Sequence, residues 1–198
     1  MFGDVFISPQ DEETPFRPKN RYAAAKMHAH WTMVHHRQRY GLFACSEILY
    51  NHESLLRPPQ FVTGKVSLAV ASIKLGLINT LEMGNLDAKR DWGFAGDYVK
   101  PMWLMLQVDQ SEEYVIGTGK LHSVRDLVAT AFESVGLDWT HYVVQNTSLV
   151  RRNEHFHLVA NRSKAKRNLG WEPQVSFEKL LEKMVKNRFR AVTKRCVG

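Results

Sequence analysis

The feature that most constrains the fold is a capped helical stretch that runs straight into an apolar one. From Asn20 to Arg39 the chain reads as helix: Pro18 precedes it, Asn20 is an N-cap residue type, three alanines favour helix, and Gly41 ends it. Met27, Trp31 and Val34 fall on one apolar stripe. Leu42 to Tyr50 is then an almost continuous apolar run, the pattern of a strand buried on both faces. Helix followed by buried strand is the repeating step of a doubly wound parallel sheet, so the chain reads as α/β.

The rest of the chain keeps that alternation. Met1 to Lys19 carries Pro9, Pro15 and Pro18 and no helical period, which predicts a short strand end at Met1–Phe6 and then a loop with Asp11, Glu12 and Glu13 exposed. Val62, Val66, Val70, Ile73 and Leu77 step at helical spacing and close near Gly76. A short strand is expected over Thr80–Met83, a loop over Gly84–Gly96, and a helix over Asp97–Gln107 with Pro101 in its first turn. Tyr114–Ile116 reads as strand. Ser123 and Asp126 are spaced as a capping box for a helix stopped by Gly136. Tyr142–Val144 is a strand, Ser163–Leu169 a short helix ended by Gly170, and Ser176 caps a last helix whose apolar face is Phe177, Leu180, Leu181, Met184 and Val185. There is no internal repeat.

Composition narrows the classes of function. No stretch of the 198 residues approaches the ~20 apolar residues that span a bilayer, and the N-terminus lacks the regions of a signal peptide, so a cytosolic protein with no membrane partner is expected. Cys45 and Cys196 fit free thiols, and no Cys/His cluster has metal spacing. The excess of 27 Lys+Arg over 20 Asp+Glu suits an anionic partner. No nucleic-acid-binding signature accompanies it, which favours a solvated helix face over a nucleic-acid patch.

The candidate chemistry begins on the first helix. Tyr22 and Lys26 are four residues apart and share one face. A neighbouring cation favours phenolate over phenol, which lets a tyrosine serve as a base closer to neutrality, and the same lysine can hold ribose hydroxyls. Asn51-His52-Glu53-Ser54 follows the apolar run directly, where α/β folds place ligands, although taken alone such residues read better as loop caps.

Together with Met1-Phe2-Gly3, Glu13-Thr14-Pro15-Phe16, Phe61-Val62-Thr63, Gly84-Asn85, Arg90-Asp91-Trp92-Gly93, Asp97-Tyr98-Val99 and Leu169-Gly170-Trp171-Glu172-Pro173, these residues resemble the extended short-chain dehydrogenase/reductase superfamily. Within it they resemble the GDP-mannose 4,6-dehydratases, in their C-terminal portion only. The resemblance implies the last part of a Rossmann-type NAD(P)-binding fold over residues 1–56 and a smaller α/β sugar-nucleotide domain over 57–198, with 91–109 packing back on the first. It implies a lyase that converts GDP-mannose to GDP-4-dehydro-6-deoxymannose with NADP as internal hydride carrier. By position, Tyr22 would be the base and Lys26 the group that assists it. His52 and Arg57 would contact NADP. Asn51, Lys65, Arg90, Arg151 and Glu154 would surround the sugar nucleotide. A homo-oligomer, dimeric or tetrameric, is implied as well.

The pattern is also broken in places. No Gly-rich turn joins a first strand to a first helix, and Gly117-x-Gly119 lies late and lacks a third glycine. In the family a catalytic threonine and glutamate precede the Met-Phe-Gly triplet with which this sequence opens, so the nucleotide-binding half is expected to be missing and the chain inactive alone. Ser46-Glu47 stands for a usual Asn-Gly and puts a carboxylate where burial is costly unless paired. Leu56, Gly64 and Arg152 stand for an arginine, an arginine and a proline. An unpartnered Leu42–Tyr50 edge predicts poor solubility or assembly. Two other readings stay open: a related sugar-nucleotide reductase or epimerase, and a non-catalytic GDP-sugar-binding or assembly module.

Overall fold

The computed structural model describes residues 1–149 and 157–197, with side chains as far as Lys194. Six α-helices occur among them: α1 (Arg21–Tyr40), α2 (Val62–Lys74), α3 (Ala95–Leu104), α4 (Val124–Glu133), α5 (Ser163–Leu169) and α6 (Phe177–Val197). The strands are β1 (Ser46–Leu49), β2 (Asn51–Glu53), β3 (Leu81–Met83), β4 (Lys89–Arg90), β5 (Trp92–Phe94), β6 (Glu113–Ile116), β7 (His122–Ser123) and β8 (Val143–Gln145). The chain divides into two units, the first formed by Met1–His52, Asp91–Leu121 and Phe156–Gln174, the second by Glu53–Arg90, His122–His155 and Val175–Gly198.

In the first unit α1 begins where the Asn20 side chain accepts from the Ala23 N–H at 2.8 Å, and it ends on Gly41, whose φ of 64° lets its N–H reach the Arg37 carbonyl. Its buried line is Ala23, His30 and Val34. Trp31, expected on that line, is 55% exposed and instead sets its ring edge-on to Phe16 and His30. Strand β1 is half the expected length. Leu42 and Phe43 are about half exposed, because pairing starts only where β6 runs alongside, with Ser46 opposite Glu113 and Leu49 opposite Ile116 in a parallel ladder.

Met1–Phe6 is not a strand. Gly3 turns the backbone at φ 62°, the Arg17 N–H donates to the Met1 and Phe2 carbonyls, and Phe2 packs on Phe16 and Tyr50. Nor is the acidic cluster simply exposed: Glu12 accepts the Val115 N–H at 2.7 Å, and burial raises its pKa above the ordinary carboxylate value. Helix α3 starts two residues earlier than expected, which puts Pro101 in its interior. A proline there leaves the carbonyl four residues back without its helical donor. That carbonyl belongs to Asp97, and it accepts the indole N–H of Trp171 at 2.9 Å.

The second unit has a helical core. Val66, Val70 and Ile73 of α2, Leu127, Val128 and Phe132 of α4, and Leu180, Leu181, Met184 and Val185 of α6 are buried where these three helices pack on one another. The capping box of α4 is present, with Ser123 Oγ accepting from the Asp126 N–H and Asp126 Oδ2 accepting from the Ser123 N–H. Strand β3 pairs with β8 in parallel and β4 with β7 antiparallel, so the segment read as one loop from Gly84 to Gly96 holds short strands and the start of α3. Among the described residues no helix is long and apolar enough to cross a membrane.

Candidate functional site

The first unit carries Tyr22, Lys26, Asn51 and His52; the second carries Arg57, Lys65 and Arg90. Arg151 and Glu154 lie outside the described residues. Tyr22 and Lys26 sit one turn apart at the start of α1, both exposed, Tyr22 at 72%. Neither is shut inside packed hydrocarbon, so phenol and ammonium are both accessible to a ligand.

Asn51 and His52 are exposed on β2. The His52 Nδ1 lies 3.0 Å from the Tyr50 carbonyl, a contact that requires the proton on Nδ1 and leaves Nε2 as the acceptor of the neutral ring. The same ring rests against Tyr98 with centroids 5.5 Å apart, which fixes its plane.

In the second unit Arg57 is held from several directions. Its Nε lies 2.9 Å from Glu53 Oε2, its guanidinium carbon stands 3.6 Å from the centroid of the Phe61 ring, and its carbonyl accepts from Arg188. Glu53 is 2% exposed, and the same Oε2 accepts the Thr63 hydroxyl at 2.6 Å. A buried carboxylate so placed forms an ion pair that, with the Phe61 ring, orients the guanidinium, a group suited to an ester phosphate. Glu53 and Phe61, read above only as parts of motifs, thus support a residue expected at the site. Their signal was spacing: each stands four residues from Arg57.

Lys65, in the first turn of α2, donates to the Glu82 carbonyl at 2.5 Å, and Arg90 donates to the Lys89 carbonyl at 2.7 Å. Gly64 admits no side chain in this backbone, since a Cβ there would lie 2.3 Å from the Pro58 carbonyl oxygen. An arginine at that position would need the Arg57–Pro58 backbone to move.

The Gly117-Thr118-Gly119 turn is filled from within the chain. Asp91, fully buried, accepts from the Thr118 N–H (2.9 Å), the Thr118 hydroxyl (2.5 Å), the Gly119 N–H (2.9 Å) and the Ala160 N–H (3.1 Å). A Cβ on Gly117 would stand 2.3 Å from the Ala160 methyl. The cradle has the chemistry of an anion nest, and its anion is the chain's own carboxylate. Among the described residues no group of three or more His, Cys, Asp or Glu side chains is arranged to hold a metal.

Comparison with known proteins adds to this geometry. Residues 1–184 match the family model described as GDP-mannose 4,6 dehydratase. GDP-mannose 4,6 dehydratase 2 of Arabidopsis thaliana is 50% identical over 185 residues, covering 93% of this chain and 49% of that protein. The Homo sapiens GDP-mannose 4,6 dehydratase is 43% identical over 202 residues, covering 93% and 54%. The chain thus spans about half the length of these curated relatives. Among solved structures, RMD from Pseudomonas aeruginosa complexed with NADPH superposes with a TM-score of 0.87 at 21% identity, over 96% of this chain and 64% of that one, a likeness of fold.

Proposed function

The chain belongs to the GDP-mannose 4,6-dehydratase family, and on that premise we propose that it corresponds to the C-terminal portion of such an enzyme. Its reaction class is that of a lyase acting on GDP-mannose, with GDP-4-dehydro-6-deoxymannose as product. The observation that carries the reading is the exposed Tyr22/Lys26 pair on one turn of a capped helix, inside a match that runs from residue 1 to 184. The first unit then corresponds to the remainder of a Rossmann-type domain. The second supplies most of the sugar-nucleotide contacts.

In this reading NADP, when bound, supplies the acceptance and return of a hydride. Each residue suits that group within its own unit: His52 would offer Nε2 from a ring held by Tyr50 and Tyr98, and Arg57 an oriented guanidinium. Tyr22, as phenolate, takes a proton from a sugar hydroxyl, and the Lys26 ammonium stabilises the phenolate and holds ribose hydroxyls. Asn51, Lys65 and Arg90 bind the diphosphate and sugar, together with Arg151 and Glu154. The full assembly is a cytosolic homo-oligomer with neither nucleic acid nor membrane as partner. The 198 residues alone are not expected to turn over.

Calorimetric titration with GDP tests this. Saturable binding that is weakened about tenfold or more by Arg90→Ala and kept by Tyr22→Phe supports it; no heat with GDP overturns it. Product formed from GDP-mannose and NADP+ by the chain alone would refute the expected inactivity. A second reading, a GDP-sugar-binding module without redox turnover, is favoured by the filling of the chain's single Gly-x-Gly turn by Asp91. It predicts heat with GDP and none with NADP+.

A further inference from the structure

The turn that carries Arg57 lies wholly in the second unit, and its own side chains do little to hold it. From Leu55 to Gln60 only Arg57 is other than exposed, and Leu56 is 86% exposed, so apolar burial contributes little there. Two local bonds shape the turn: the Leu56 N–H donates to the Ser54 hydroxyl at 3.1 Å and the Arg57 N–H to the Ser54 carbonyl at 3.1 Å. The Leu55 and Arg57 carbonyls are satisfied from outside it. Asn187 Nδ2 donates to the Leu55 carbonyl at 3.2 Å, and the Arg188 guanidinium donates to the Arg57 carbonyl. Both donors stand side by side on α6.

From another side the turn lies on α2. The built Cβ that would stand 2.3 Å from the Pro58 carbonyl oxygen would also stand 2.7 Å from that of Arg57, so the bare Gly64 lets this backbone approach the helix. Helices α2 and α6 pack on each other through the unit's core, so the seat they form is set by that core and not by the turn. Glu53 and Phe61 restrain the Arg57 guanidinium, but each is four residues away along the chain. They orient it only if the backbone between them keeps one conformation.

We propose, resting on the reading that gives Arg57 a contact with NADP, that Arg188 and Asn187 are positioning residues for Arg57. By holding two carbonyls of the turn they fix the direction in which its guanidinium is presented to an ester phosphate. A turn with exposed side chains samples many backbone conformers, and ordering it is opposed by conformational entropy. Donors from a packed helix select one of those conformers before any ligand arrives. Arg188 contributes more than Asn187, because its bond is charge-assisted. Both residues lie past residue 184, where the match to the family model ends, so that match assigns them no role.

Heteronuclear NMR of the full chain tests it, with the Arg57 Nε–H signal as readout and its loss in Arg57→Lys as the assignment. In the wild type the Phe61 ring should displace that signal from those of exposed arginines. Arg188→Met should return it toward them and speed its exchange with water. Arg188→Lys, which keeps a cationic donor, should retain most of the displacement, and the milder Asn187→Ala should move the signal part of the way. Near-ultraviolet circular dichroism matching the wild type identifies the variants that are folded. NADP+ should shift the same signal in the wild type, and Arg188→Met should weaken that binding about tenfold. An Arg57 signal unmoved in both Arg188→Met and Asn187→Ala, or Arg188→Lys as disruptive as Arg188→Met, would overturn the positioning role. NADP+ that leaves the wild-type signal in place would instead overturn the cofactor contact of Arg57, and the α6 variants would still decide whether its guanidinium is oriented from α6.

Discussion

Asp91 and Glu47 are carboxylates of the same unit, both withdrawn from water, and their surroundings differ completely. Asp91 is met by three N–H groups and a hydroxyl that the Gly117–Gly119 turn and Ala160 present to it. Glu47 is met by none among the described residues, and burial pushes its pKa up to about 7. A carboxylate withdrawn from water is therefore no measure of stability or of function until its donors are counted. The first carboxylate ties three chain segments together. The second is a standing cost, a carboxylate withdrawn from water with no donor among the described residues.

The difference is broken most directly at Asp91. Replacement by alanine leaves its buried donors without an acceptor, and replacement by asparagine turns an NH2 group toward some of them. Either should destabilise the first unit by about 3 to 5 kcal/mol. Chemical denaturation followed by tryptophan fluorescence would show it, since Trp92 and Trp171 are buried in that unit. A loss below ~1 kcal/mol would mean the four contacts are replaceable by water.

Glu47→Gln should have the opposite sign. A folded-state pKa near 7 against an ordinary 4.5 means that the folded chain holds its proton longer than the unfolded one. Stability therefore falls as pH rises from 4.5 through 7. At pH 8 the neutral amide should stabilise the chain by about 1 to 2 kcal/mol, discounted for partial exposure, and the gain should vanish below pH 4.5. Equal stabilisation at both ends of that range would show that charge is not the cause.

Sequence and structure parted company for reasons these two residues illustrate. Helix α1 and its caps, the capping box of α4, and the limits of α5 were legible because they are local: an Asn, a Ser, a Gly and their neighbours decide them. The cost of a carboxylate at position 47 was legible too, as a charged residue in an apolar run. The cradle was not. Asp91 meets Thr118 and Ala160 across 27 and 69 residues, and no local pattern announces contacts of that separation. The same holds for Glu12 on Val115 and for the trimming of β1, which follows from where β6 begins. At the candidate site the support of Arg57 by Glu53 and Phe61 was legible only as spacing.

His30 sharpens the comparison from the acid side. It is buried on α1, with Nδ1 3.2 Å from the Ser46 hydroxyl and its ring edge-on to Phe16, and burial lowers its pKa below the ordinary 6.5. The unfolded chain then binds the proton first, so its contribution is present above pH 6.5 and is lost as pH falls below it. Glu47 acts in the reverse direction over much of the same range. In the Glu47→Gln background the loss of stability on acidification should therefore steepen, and His30→Gln should flatten it again. An unchanged slope in the double variant would assign the titration to another group.

The smallest effect belongs to a carboxylate in the second unit whose donors are present but shared with water. Asp126 accepts the Ser123 N–H at 2.8 Å and returns its own N–H to Ser123 Oγ at 3.0 Å, and the first of these contacts holds its pKa below the usual 3.8. The box satisfies two N–H groups that α4 would otherwise leave open, yet while Ser123 is buried Asp126 is exposed, so solvent competes for its carboxylate. Ser123→Ala should therefore cost about 1 kcal/mol, well short of the loss at Asp91 although the donor type is the same. Asp126→Asn should cost less, and only above pH 3.8, because the stability that the ionised form brings is lost as pH falls through its lowered pKa. Thermal unfolding of the two variants at pH 7 and pH 3 measures both. Were Ser123→Ala as costly as Asp91→Ala, exposure would not be what separates a cap from a cradle.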